Sequence, residues 1–230
     1  VWNDHAGNGI TVKDIHDRLF PALQTLSAKC WTGAATSLSF EDFNRLRLSL
    51  SEAPAVNEAA RWQKGKQLRI ETLNPGQTTG EKEVGYGYRV EFTIEGADEP
   101  KGTVLFSSDN ATFYLADPES GQLGFAHEGY LNKFNYRIEK GKKVTLAITG
   151  DNRKTCLYVD GKLREELGPV TLYAMLQKDL ATFQKSDATA TQPIVYNPSA
   201  KMHYQRTLVF PLQKAGDFKS RITGVKVEQE

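Results

Sequence analysis

Apolar side chains recur at two different spacings along this chain, and the spacing changes near residue 66. Ahead of that point the pattern is helical. Thr11 followed by Asp14 makes a capping-box start, and Val12, Ile15 and Leu19 come at helical intervals. Pro21 suits a first turn and predicts a break or restart of that helix. Ala22, Leu23, Leu26 and Cys30 then resume the stripe, and Gly33 stands where a C-terminal cap belongs. Ser39 and Asp42 open a second helix carrying Phe40, Phe43, Leu46 and Leu50, and residues 51–57, with Pro54, read as a linker.

Beyond residue 66 the period is two. Tyr88, Val90, Phe92 and Ile94 alternate with Arg89, Glu91, Thr93 and Glu95, as in a half-buried strand. Further strands are predicted at 103–107, 111–116, 122–126, 129–138, 143–149 and 154–159, with late ones at 206–211 and 219–228. Asp160-Gly161 lies between alternating runs from Leu157 to Leu163 and signals a hairpin with a type I′ turn. Residues 174–204 interrupt the pattern: a short helix is expected at 175–183 and a loop in the polar stretch 185–192. Many short strands without intervening helices predict a mainly β chain, an antiparallel β-sandwich preceded by an α-helical segment. The expected organisation is 1–33, 34–66 as helix and linker, and 67–230 as the sandwich.

Charge narrows the partners. With 29 basic and 28 acidic residues in mixed order the formal net charge is +1, which gives no electrostatic reason to bind nucleic acid or an anionic membrane. No apolar run reaches the roughly 20 residues of a membrane span. Cys30 and Cys156, far apart in sequence, read as two buried free thiols.

Most catalytic and metal chemistry is refused. His5, His16, His127 and His203 show no metal-ligand spacing, and His16 reads as a surface position on a helix. There is no nucleophile elbow, phosphate loop or dinucleotide fingerprint. Glu91 and Glu95 share a strand face, but Thr93 between them and Arg89 beside them make it a solvated polar face. Asp109-Asn110 and Asp151-Asn152 could offer oxygen ligands to calcium, yet such residues are ordinary turn formers, and the expectation is no cofactor. Tyr130, Phe134 and Tyr136 alternate on one strand face; the core is the first reading for such a stripe and a sugar-stacking platform the second.

Two blocks carry a resemblance. Val1-Trp2-Asn3-Asp4, then Asp14-Ile15-His16-Asp17-Arg18-Leu19-Phe20-Pro21, then Lys29-Cys30-Trp31-Thr32-Gly33 resemble the end of the catalytic barrel of family 20 glycoside hydrolases, the β-N-acetylhexosaminidases. Val104 to Ser108, Phe113 to Asp117, Leu123 to Phe125 and the Leu157 to Leu163 hairpin resemble a laminin-G/concanavalin-like jelly roll, a domain appended to some bacterial members. The resemblance makes residues 1–33 the last strand and helix of a (β/α)8 barrel. It gives Trp2 the role of a wall of the acetamido-sugar pocket. Asp4 falls where the family has a glutamate that holds outer sugar hydroxyls, and it is one carbon shorter. It also implies substrate-assisted hydrolysis by the 2-acetamido oxygen, served by an Asp-Glu pair on an earlier strand upstream of Val1. Together with an opening that has no initiator Met, this predicts a carboxy-terminal fragment with no catalytic residues of its own, inactive alone, from a periplasmic or secreted enzyme. The sandwich is then a structural accessory to the upstream barrel; the alternatives are a carbohydrate-binding module and, third, a free-standing laminin-G-like adhesion domain.

Overall fold

The computed structural model describes residues 12–33, 38–49, 62, 65–127, 129–171 and 203–230. In chain order the elements are α1 (Val12–Thr32), α2 (Phe40–Ser49), β1 (Gln67–Leu73), β2 (Glu83–Val84), β3 (Tyr88–Glu95), β4 (Thr103–Ser107) and β5 (Ala111–Ala116). They continue with β6 (Gly124–His127), β7 (Tyr130–Lys133), β8 (Lys143–Gly150), β9 (Thr155–Val159) and β10 (Lys162–Leu167). Last come β11 (Val170–Thr171), β12 (His203–Tyr204), β13 (Phe210–Pro211), β14 (Lys214–Ala215) and β15 (Arg221–Gln229). The short helix expected at 175–183 and the loop at 185–192 lie outside the described residues.

The helical start is as the spacing implied, with one correction. α1 runs unbroken through Pro21, which deprives the helix of one amide donor without ending it. Gly33 closes it with φ +66° and its N–H on the Lys29 carbonyl at 2.9 Å. α2 starts on the expected cap: the amide of Asp42 donates to Ser39 Oγ at 3.1 Å, and that hydroxyl donates to Asp42 Oδ2 at 2.9 Å. Ile15, Leu19, Phe20 and Phe43 of these helices are half-buried, while several apolar positions are open to solvent, Phe40 at 74%, Leu26 at 60% and Trp31 at 89%. Cys30, expected to be buried, is exposed on the same helix, while Cys156 is the buried thiol.

The rest is a mainly β, antiparallel, jelly-roll-like sandwich. A six-stranded sheet in the order β1-β15-β3-β8-β9-β10 faces a five-stranded sheet in the order β14-β4-β5-β6-β7, and two short ribbons pair β11 with β12 and β13 with β2. Strict alternation builds the core: Tyr88, Val90, Phe92 and Ile94 of β3 are fully buried, and the residues between them are not. Opposite them stand Phe113, Leu115, Phe125 and Phe134, all in the same apolar cluster. Phe210 bridges the layers, its ring 5.8 Å from Tyr88 and 5.0 Å from Phe113. Trp62 joins this core from ahead of β1, with Lys66 Nζ 4.7 Å from its ring centroid.

The β9–β10 hairpin is as expected. Val159 pairs with Lys162 across a two-residue turn in which Asp160 (φ 49°) and Gly161 (φ 77°) both take positive φ. β1 and the two-residue strands β2, β11, β12 and β14 went unrecognised in the sequence.

Candidate functional site

Trp2 and Asp4, the pocket residues implied by the family resemblance, lie outside the described residues. Of the proposed sugar platform, Phe134 has 0% exposure, and its ring sits 6.1 Å from that of Phe125. The alternation that aligns Tyr130 and Phe134 aims that side of β7 at the opposite sheet, as the burial of Asn132 between them confirms. Phe134 is therefore core, and no platform containing it can meet a sugar. Tyr136 packs half-buried against the same core; burial, with the Asp160 carboxylate adding to it, raises its phenol above the ordinary value. Tyr130 is half-buried and pairs with His127.

Of the Asx pairs weighed for calcium, Asp151 holds a turn and Asn110 ties its loop to β2. Asp151 Oδ1 accepts the amides of Arg153 and Lys154 at 2.7 and 2.9 Å, and Asn110 Nδ2 donates to the buried Glu83 at 2.8 Å. Among the described residues, no three His, Cys, Asp or Glu side chains gather as a metal ion would need. His16 is half-buried, edge-on to Phe20 at 5.0 Å.

The constellation with binding chemistry is on the solvent face of the six-stranded sheet. Register places Lys226, Glu91, Ala147, Tyr158 and Leu163 side by side on five consecutive strands. Because Phe92 and Leu157 point into the core, Glu91 and Tyr158 must point out. Ala147 between them points outward too, yet is only 3% exposed. Arg89, one row along, spans the arrangement: its Nη2 donates to Glu91 Oε2 at 2.7 Å and its guanidinium carbon lies 5.5 Å from the Tyr158 ring centroid. Two further pairs flank the group, Lys226 with Glu228 at 2.5 Å and Lys154 with Glu166 at 2.7 Å. Cys156 lies between them, its thiol pushed up by burial and by the Glu166 carboxylate.

Chemically this is a half-buried aromatic ring with a guanidinium over it and a carboxylate tied to that cation, whose remaining N–H groups and lone pairs can meet a polar, hydroxylated ligand. It is not a hydrolytic pair. Glu91 faces a guanidinium rather than a second carboxylate, and Glu95 pairs in register with Lys143. Sequence reasoning passed over Tyr158, although the hairpin contained the signal: an inward Leu157 puts its neighbour outside.

No protein-family model matches the chain, and no curated protein matches it. Among solved structures it is similar to domain 4 of AbnA, a GH43 extracellular arabinanase from Geobacillus stearothermophilus in complex with arabinotriose. That likeness has 12% identity and a TM-score of 0.33 over 71% of this chain and 66% of that one. It is similar to the Caenorhabditis elegans galectin LEC-6, with 9% identity and a TM-score of 0.38 over 70% of this chain and 95% of that one. It is also similar to Trypanosoma rangeli sialidase in complex with sialic acid, with 13% identity and a TM-score of 0.34 over 75% of this chain and 27% of that one. At these values the likenesses carry no argument about function, which rests on the chain's own residues.

Proposed function

We propose that the sandwich is a glycan-binding module within the non-catalytic C-terminal region of a β-N-acetylhexosaminidase. The observation that carries the binding role is the cluster of outward Tyr158, the Arg89 guanidinium over its ring and Glu91 held by that guanidinium, on one solvent-facing sheet face. The resemblance of residues 1–33 to a barrel end supports the enzyme context. In that context the catalytic carboxylates lie upstream, this chain hydrolyses nothing, no cofactor is needed, and the protein is periplasmic or secreted. Its partners are the glycan and the barrel. Calorimetric titration with chitooligosaccharides and N-acetyllactosamine-type glycans, alongside a chromogenic N-acetylglucosaminide assay, tests this. Saturable binding with a Kd of about 10–1,000 μM and no turnover is expected; hydrolysis would overturn the upstream placement of the catalytic pair, and absence of binding would overturn the module.

A second reading has its own observation. Leu23, Leu26, Trp31, Leu38, Phe40 and Leu46 are exposed on or beside the two helices, more apolar surface than solvent favours. On this reading the helical segment packs on the barrel, and the sandwich is a rigid accessory without glycan affinity.

A further inference from the structure

We propose that β1 is the docking edge for a second copy of this chain, which pairs with it antiparallel about a two-fold axis at Ile70. β1 is the border of the six-stranded sheet opposite β10, and among the described residues it pairs only with β15. Its register with β15 runs without a shift from Gln67–Glu228 to Leu73–Ile222. Alternate residues of an edge strand turn their N–H and C=O groups away from the sheet, so β1 offers another strand a row of donors and acceptors. The devices that blunt such an edge are missing from it. It has no proline, no bulge against its neighbour and no charge on its inner side, where Leu68 and Ile70 pack against the core.

The outward side chains choose the occupant and the register. Gln67, Arg69 and Glu71 are exposed in alternation with the half-buried Leu68 and Ile70. Arg69 Nη2 donates to Gln67 Oε1 on its own strand at 2.9 Å, and among the described residues neither Arg69 nor Glu71 belongs to an ion pair. With the axis at Ile70, Arg69 of each copy stands opposite Glu71 of the other, so one self-complementary pattern makes both cross-strand ion pairs. Moving the axis by one residue sets Arg69 against its own copy, or Glu71 against its own, and like charges directly opposite repel. The pairing joins two six-stranded sheets into one and stops there, because the far border, β10, is out of step between Leu163 and Glu165. One strand pair buries well under the roughly 1,000 Å² of a stable complex, so the dimer should be weak, with a Kd of about 0.1–1 mM.

The test is sedimentation equilibrium of the full chain carrying Leu26→Lys and Trp31→Gln, which removes association through the helices. At about 1 mM it should be at least half dimeric, and at about 0.02 mM, a concentration suited to light scattering, monomeric. Arg69→Glu should weaken the dimer about tenfold or more, and Glu71→Arg likewise. The two together should restore it to within about twofold, since the swap re-forms both pairs with their signs exchanged. A monomer at the higher concentration, or a dimer that Arg69→Glu leaves unchanged, overturns the proposal. A double swap that fails to restore a dimer lost by each single one, with the thermal melts unaltered, overturns the register that defines it.

Discussion

The guanidinium of Arg89 lies over the ring of Tyr158, its central carbon 5.5 Å from the ring centroid. Because the same group holds Glu91 at 2.7 Å, one side chain sets both the acceptor and the aromatic surface. Arg89→Lys keeps the charge and loses the planar fork. Glycan affinity in calorimetry should fall about tenfold, while stability changes by no more than about 1 kcal/mol, the worth of an ion pair that water still reaches. Tyr158→Ala should abolish measurable binding.

Phe134 makes the opposite case. It is fully buried against Phe125, so Phe134→Ala should cost about 3–5 kcal/mol in urea unfolding. A loss below about 1 kcal/mol would place the side chain outside the core.

Tyr88 and Gly150 share a tight contact. A methyl group added at Gly150 would lie 2.4 Å from the Tyr88 hydroxyl and 2.5 Å from the ring carbon that bears it. Gly150→Ala should therefore destabilise by about 1–3 kcal/mol, the ordinary cost of overpacking. That hydroxyl is buried and has no hydrogen-bond partner among the described residues. Tyr88→Phe should consequently be neutral or stabilising in the same assay, since it removes a desolvated polar group that gains nothing in return.

Asp117 should govern part of the acid response. Burial by itself would raise its carboxyl, but the Ser120 hydroxyl and the amides of Ser120, Gln122 and Glu119 outweigh this and hold it below the usual range. The unfolded carboxyl, near about 3.9, binds its proton first as pH falls, so the contribution is complete above that value and is lost toward the lower folded value. Asp117→Asn should lower the unfolding free energy at neutral pH by about 1–3 kcal/mol and flatten the pH dependence below about 4. Denaturant melts between pH 2 and 7 check both.

The exposed helix positions give a prediction about assembly. With Leu26 at 60% and Trp31 at 89% exposure, the chain should associate as concentration rises. Leu26→Lys combined with Trp31→Gln should restore a monomer in light scattering.

Most strands were legible because the sandwich buries one face of each, and burial of one face writes a period of two into the sequence. β3 is the clearest instance. β1 was missed because among the described residues it pairs only with β15, and its outward Gln67, Arg69 and Glu71 leave only Leu68, Ile70 and Leu73 to signal it. β2, β11, β12 and β14, two residues each, are too short to carry a period. Pro21 misled because propensity describes an isolated helix, and one lost donor did not end α1. The site was half legible. Glu91 and Arg89 were visible as an outer face, but Tyr158 joins them only through the register β3-β8-β9, which no local pattern states.

The six-stranded sheet ends at β10, where the irregularity between Leu163 and Glu165 breaks the ladder. Leu163 faces out with Tyr158, yet Leu167 returns to the core, because the extra residue resets the alternation. That edge is further occupied by Lys162, Arg164 and Glu166, and Glu165 accepts the Asn135 amide from the stretch after β7 at 2.5 Å. A strand from another molecule would find the ladder out of step and the row charged, with a carboxylate already tied across to the chain beyond the facing sheet's last strand. The border beside the Arg89–Glu91–Tyr158 face thereby offers a second copy of the chain no straight, unpaired strand on which to template fibre growth.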